Sequence, residues 1–322
     1  MSDTRRGYAF AFAAYGLWGL VPLYWKLLRP AGPVEILGHR ILWSVVFTGL
    51  LLFGVWFRGR RRDPLSGPGA LRTLLRDRRK LLGVAVAAIV ITVNWGVYIY
   101  GVNADRVVET SLGYFINPLV SVALGVLFFR EKLRSWQWAA VGVGALAVGV
   151  LTVEYGHPPW IALTLAFSFA AYGAVKKRLG LPPAESLFVE SVFMALPALV
   201  FVGWLEAAGK GTFTSVSWAQ ALLLAGAGVV TAVPLLFFGA AANRLPLSVL
   251  GMIQYVGPVL QFGFGVTVFG EEMPPARWIG FGLVWLALLI FSGDGLRRSR
   301  QLRRPVAEPA AETKVVTAPV SR

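Results

Sequence analysis

Glu35, His39 and Arg40 stand within six residues of one another in VEILGHRILWSVVF, at the mouth of a long apolar run. On a helix, Glu35 and His39 are four apart and share a face, with Arg40 one position around. An acid, an imidazole and a guanidinium at that spacing could lock an ion pair, hold an anion at a gate, or pass a proton. In hydrocarbon each such group costs at least about 2.5–3.5 kcal/mol on insertion scales, so it faces a bundle interior or water. Arg40 sits about a turn and a half inside the run and can also reach partly outward along its alkyl stem.

A second set is polar and aromatic: Trp18, Tyr24, Trp25, Asn94, Trp95, Tyr98, Tyr114, Asn117, Gln254, Tyr255 and Gln261, all within apolar runs. Rings near run ends suit the membrane interface, whereas Asn94, Tyr114 and Gln254 lie deeper. Rings with a few amides would suit a small amphipathic or aromatic solute, or a cation above a ring. Buried amides need partners or water, which leaves helix contact and a lumen-facing role both open for Asn117 and Gln261. Gly113, Asn117, Ser121 and Gly125 recur at every fourth position, a stripe that lets helices approach closely in lipid. Pro118 and Pro258 each remove a backbone donor inside an apolar run, as a hinge or as an inert kink.

Motifs for catalysis are missing. His39 and His157 are the only histidines; Ser44 and Ala162 stand where an HxxxxD acid would be, and no HExxH occurs. Gly209–Lys210 lacks the glycines and hydroxyl of a phosphate loop, and the absence of cysteine excludes thiolate chemistry. No catalytic residue, cofactor or metal site is expected.

The elements that must position these residues follow from composition. The chain has 322 residues, 56% hydrophobic and 15% charged, with mean hydropathy +0.64. Soluble domains carry roughly 45–50% apolar and 25% charged residues, so this is an integral membrane protein. Ten apolar runs near the length needed to cross about 30 Å of hydrocarbon lie near 7–26, 34–57, 81–101, 107–129, 135–153, 158–175, 184–205, 218–241, 246–269 and 276–294. The first follows Arg5 and Arg6 but continues through Trp25 and precedes nine others, so it reads as a retained helix rather than a signal peptide.

With the N-terminus inside, 25 of the 31 Lys and Arg fall on the cytoplasmic side, five outside, and Arg40 within a span. That bias places both termini in the cytoplasm of a multi-pass protein of the cell inner (plasma) membrane. It reads the basic loops as topology and contact with anionic lipid rather than nucleic-acid binding. A homodimer is compatible with the sequence.

At an offset of 140, Asn103 to Trp138 matches Asn243 to Trp278 at seven of 36 positions, including Pro118 with Pro258, Glu131 with Glu271 and Trp138 with Trp278. Earlier the offset is 150, where Pro33, Glu35 and Arg40 meet Pro183, Glu185 and Glu190. Five spans per half is an odd number, so the halves insert with opposite orientation. The expected architecture is all-α: a first five-helix repeat over 1–153 with a basic cytoplasmic loop at 58–80, a second over 154–296, and a disordered tail at 297–322. Arg40 and Glu190 are expected to pair across the interface as a lock or a gate, with proton coupling through His39 or Glu190 as the further option.

The stretches AYGLWGLVPLYWKLL, VEILGHRILWS, NWGVYIYGVN, ETSLGYFINPLVSVALGVLFFREKL and LSVLGMIQYVGPVLQF together resemble the RarD family of EamA-type transporters, in the drug/metabolite transporter superfamily, from about Gly7 to Asp294. The resemblance implies ten transmembrane helices in two inverted five-helix repeats, a central cavity and alternating access. Its motif residues fall here on Glu35, His39, Arg40, Asn94, Trp95, Ser111, Gly113, Tyr114, Asn117, Pro118, Gln254, Tyr255 and Pro258. The family is one of permeases, with chloramphenicol resistance attached to its name, and related members move amino acids, metabolites or drugs, often outward. The implied function is a secondary active exporter of a small organic solute such as an amino acid, metabolite or amphenicol-type drug. The rival class is an integral membrane enzyme or lipid-handling scaffold without solute flux.

Overall fold

Apolar runs of this length satisfy their backbone groups internally when helical, the one arrangement besides a closed barrel that hydrocarbon tolerates. In the computed structural model, which describes residues 3–59, 77–129, 133–179, 183–242, 244–245 and 247–302, every one of the ten runs is helical. The helices are α1 (Asp3–Leu27), α2 (Pro33–Gly59), α3 (Arg78–Asn103), α4 (Val107–Phe129), α5 (Ser135–Tyr155), α6 (Trp160–Leu179), α7 (Pro183–Ala207), α8 (Trp218–Ala242), α9 (Leu247–Ile253), α10 (Val256–Thr267) and α11 (Pro275–Leu302). Local chemistry sets several ends: the Asp77 carboxylate caps α3 by accepting from the Arg79 and Lys80 N–H groups, and Gly156 closes α5 at φ 70°.

Seven of these helices are long and apolar enough to cross a membrane: α2, α3, α4, α5, α7, α8 and α11. The other three expected spans fall short for identifiable reasons. Tyr, Trp and Pro residues dilute the aliphatic content of α1, and the apolar part of α6 ends at Lys176. The ninth run is divided into α9 and α10 at Gln254–Tyr255. Pro258 supplies no N–H to the Gln254 carbonyl, which instead accepts at 3.3 Å from Gly257, a tighter turn. Pro118, its sequence mate, lies inside the unbroken α4, so of the two prolines Pro258 alone stands beside a helix break.

The packing has a simple rule. Helix α1 packs on α8 and α10, and α6 on α3 and α4; α2 packs on α7 and α8, and α7 on α2 and α3. The remaining principal pairs are α4 with α10 and α5 with α11. Exchanging α1–α5 for α6–α11 maps this list onto itself. One apolar cluster, around Leu112, Phe115, Leu151 and Phe281, joins α4, α5 and α11. Another, around Trp25, Ile36, Tyr98, Leu165 and Leu224, joins α1, α2, α3, α6 and α8 and supports the site described below. Leu50, Phe53, Leu196, Leu199 and Leu289 face outward, an apolar coat too large for water and suited to lipid.

One expectation changes at the C-terminal end. Helix α11 runs on to Leu302, so the segment expected to be a tail from 297 begins as helix. The basic connector over 60–76, the loop at Arg130–Glu131, Asn243 and the tail from 303 lie outside the described residues.

Candidate functional site

Close helix contact is the first requirement for bringing the polar residues together, and small residues provide it. A Cβ at Gly113 would stand 2.8 Å from the Ala162 carbonyl oxygen and from Leu165 Cβ, so α4 and α6 touch backbone to backbone there. A Cβ at Gly228 of α8 would stand 2.4 Å from the Trp43 backbone of α2. These glycines serve packing.

Inside this frame, Asn94 on α3 is 1% exposed. Its amide donates to the Leu165 carbonyl at 3.0 Å and to Ser168 Oγ at 2.9 Å on α6, and its oxygen accepts from the Tyr114 hydroxyl at 3.4 Å. Tyr114 in turn meets Tyr98 edge-on at 5.6 Å and Phe169 at 6.1 Å, and Phe169 meets Tyr172 at 6.2 Å. The result is a ladder of rings across α3, α4 and α6, running from the buried Asn94 amide and Tyr98 to the exposed Phe169.

Arg40 lies beside it. The residue is 7% exposed, its guanidinium stacked 4.0 Å from the Trp95 ring centroid and 5.3 Å from that of Trp25. Tyr98 and Tyr114 are among its neighbours. Stacking on rings is worth up to about 2 kcal/mol when desolvated, less than the several kcal/mol that burying an ion costs. The stacking alone therefore leaves the charge under-compensated.

The expected Arg40–Glu190 pair is not formed. Gly38 of α2 lies against Val202 of α7, and Gly49 against Phe188, an antiparallel register. That register sets Glu190 opposite about Phe47, roughly 10 Å along the axis from Arg40 at about 1.5 Å per residue. Arg40 and Glu190 each lie seven residues in from the start of their helix, so in an antiparallel pair they stand near opposite ends and do not meet. Glu190 instead accepts from Lys176 Nζ at 2.8 Å, from the Tyr172 hydroxyl at 2.9 Å and from Ser186 Oγ. Lys176 and Tyr172 were missed by sequence reading. Their signal was available: they are four apart, on one face of α6, at the end of its apolar run.

At the other end of α2, Glu35 accepts from the Thr212 N–H at 2.6 Å and the Thr212 hydroxyl at 2.9 Å, while Glu206 accepts from the Phe213 N–H at 3.2 Å and from Thr214. His39 stacks on Phe213 at 4.8 Å, and neither of its ring nitrogens has a hydrogen-bond partner. Among the described residues Glu35, His39 and Glu206 are the group that could hold a metal ion, their donor atoms lying within 4.8 Å of one another. Both carboxylates already hold the loop after α7, so the arrangement as it stands is a loop clamp. Glu185 makes no contact with this cluster, being at the other end of α7.

The same end carries further ties. Asp105 binds Lys26, and also Arg29 at 3.1 Å; the Lys26 hydrogen bond holds its carboxyl below the ordinary value of 3.8. Glu271 accepts from the Val107 and Val108 N–H groups at the start of α4. Burial pushes its carboxyl up, against the pull of those two donors. A polar cavity of about 230 Å³ opens here between Arg106, Glu109, Tyr155, Glu271 and Arg277, away from Asn94.

The remaining candidates are dispersed. Tyr24 donates to the Leu223 carbonyl, tying α1 to α8. Gln261 donates to the Trp18 carbonyl at 3.1 Å, tying α10 to α1, and its Oε1 has no partner. Asn117 Oδ1 is buried without a partner, while Gln254 and Tyr255 mark the break between α9 and α10. The structure thus brings Asn94, Trp95, Tyr98, Tyr114 and Arg40 together, and places Trp18, Tyr24, Asn117, Gln254, Tyr255 and Gln261 around them on other helix contacts.

The profile of the EamA-like transporter family matches residues 5–153 and again 159–293. The chain is 54% identical to Protein RarD of Streptomyces exfoliatus over 98% of this chain and 97% of that protein. It is 41% identical to an uncharacterized transporter, YojE, of Bacillus subtilis over 93% of this chain and 97% of that one. A protein solved by crystallography shares the fold with TM-score 0.57 at 17% identity, covering 91% of this chain and 99% of its own.

Proposed function

Because the chain belongs to the EamA-like transporter family, and is a multi-pass membrane transporter of the RarD type, we propose that it is a secondary active transporter of a small organic solute. The solute is of the class of amino acids, metabolites or amphenicol-type drugs, and it moves by alternating access through the region between the two matched segments. The observation that carries this reading is Asn94: a fully buried amide of the first segment bonded to Leu165 and Ser168 of the second, with Tyr114 on its oxygen. Polar groups kept in hydrocarbon at a contact between halves are the usual lining of a solute path.

Inverted repeats are supported by the double family match and by a packing list that survives exchange of the halves. Alternating access then has two ends to work with. The Lys26–Asp105, Glu35–Thr212 and Glu206–Thr214 ties close one, and Lys176–Glu190 closes the other. The charge bias supports an outward-facing position for the first end and a cytoplasmic one for the second, where the basic loops would meet anionic lipid of the inner membrane.

The test is flux. Reconstituted protein should accumulate or release one of a panel of amino acids, amphenicols and nucleosides in response to an imposed pH gradient, with saturation. Asn94→Ala, Tyr114→Ala and Gln254→Ala should each lower transport more than protein abundance. Turnover of a substrate in detergent with no flux in vesicles would favour the enzyme or scaffold class, and wild-type flux in all three variants would remove this path.

A further inference from the structure

We propose that Arg40 receives a carboxylate of the transported solute, so that the substrate class is organic anions and zwitterions. This rests on the transport reading above and deepens it. The guanidinium is 7% exposed, and among the described residues no carboxylate pairs with it. The nearest acid along α2, Glu35, is spent on Thr212, and Glu190 is bound to Lys176 at the other end of the bundle.

The geometry of the stack decides which ligand fits. The guanidinium carbon lies over the Trp95 and Trp25 rings, which can accept no N–H···O bond in the plane of the group, and Nε is buried with no partner among the described residues. An edge of parallel N–H donors matches a carboxylate bidentately. Three other buried groups of the same region also lack partners: Trp25 Nε1, the Tyr98 hydroxyl and Ser44 Oγ, the last one helical turn beyond Arg40. Arg and Trp nitrogens can only donate, and the two hydroxyls can. Buried polar atoms are almost always satisfied, so unpartnered donors on Arg40 and on its neighbours call for an acceptor that arrives from outside the chain. Tyr98 and Tyr114, in edge contact, give the solute's apolar body rings to lie against.

The experiment uses full-length protein in nanodiscs of zwitterionic lipid alone, so that no anionic headgroup supplies the ligand. Thermal unfolding is followed with matched probes differing only in charge: benzoate and benzamide, phenylacetate and phenylacetamide, phenylalanine and phenylalaninamide. At least one acid should raise the unfolding midpoint of the wild type while its amide does not. Arg40→Gln should weaken that acid at least tenfold, and Arg40→Lys, which keeps the charge but not the fork, by less. Trp95→Leu, which keeps the charge and loses the stack, should weaken it as well and serves if Arg40→Gln does not fold. Amides that stabilise as well as acids, acids that stabilise Arg40→Gln equally, or no shift with any acid would each overturn the proposal. Saturable flux of neutral solutes that Arg40→Gln leaves intact would sink this inference and spare the transport reading. Carboxylate binding through Arg40 with no flux of any solute would do the reverse.

Discussion

Lys176 Nζ lies 2.8 Å from Glu190 Oε1, with the Glu190 side chain 1% and the Lys176 side chain 21% exposed. Tyr172 and Ser186 complete the shell around the carboxylate. Removing one partner of a buried pair strands the other charge and costs about 3–5 kcal/mol, whereas replacing both with apolar residues of similar volume is often neutral. Glu190→Gln should therefore lower the unfolding midpoint sharply, and Lys176→Met with Glu190→Leu should recover most of the loss. The double charge reversal of Arg40 and Glu190 should not rescue its single variants, because the two stand at opposite ends of the α2–α7 pair. Rescue in a thermal unfolding assay would mean that they meet.

Gly113 offers a test of packing without charge. Its missing Cβ is the space occupied by the Ala162 carbonyl and Leu165 Cβ. Gly113→Ala must push α4 from α6 and should cost about 1–3 kcal/mol, the usual range for overpacking. Gly142→Ala, inside α5 where nothing lies within 4 Å, should not destabilise and should add up to about 1 kcal/mol through helix propensity. Equal midpoints for the two variants in nanodiscs would refute the close crossing.

Helix existence was legible in the sequence because length and hydropathy are local quantities, and α4 begins and ends where its apolar run predicted. The polar centre was half legible. Asn94, Trp95, Tyr98, Tyr114 and Arg40 stood out as polar or aromatic residues in apolar runs, which needs no knowledge of neighbours. Partners do need it. The match of Arg40 with Glu190 at one offset gave equivalence under the repeat, and equivalence in antiparallel helices means opposite depth. Glu206, Thr212 and Phe213 went unnoticed because their role depends on a loop folding back over α2. Pro118 and Pro258 look alike in sequence, yet only the second interrupts its helix.

Asp105 provides a pH-dependent reading of the end it closes. Lys26 and Arg29 hold its folded-state value below the ordinary 3.8, so their contribution is fully present above that value and is lost as pH falls through the lower folded one. Because the side chain is 59% exposed, solvent screening limits the gain to about 1 kcal/mol or less. Asp105→Asn should accordingly lower the unfolding midpoint slightly at neutral pH, with the gap to wild type closing in strong acid. A gap that widened on acidification would have the wrong sign for this cause.

Pro258 tests whether the break in the ninth run matters to transport. With no N–H at position 258, the Gln254 carbonyl takes its bond from Gly257 instead, which makes the junction of α9 and α10 the place where a change of angle would break the fewest helical bonds. Pro258→Ala supplies the missing donor and should fuse α9 and α10 into one stiff helix. Flux should then fall several-fold while the concentration giving half-maximal transport changes less, because Asn94, Tyr114 and Arg40 are on other helices and only Gln254 stands at the break. Pro118→Ala acts within a helix that is already continuous and should change flux far less. If the two variants transport alike, the break at Gln254–Tyr255 is a packing detail and the moving element lies elsewhere in the bundle.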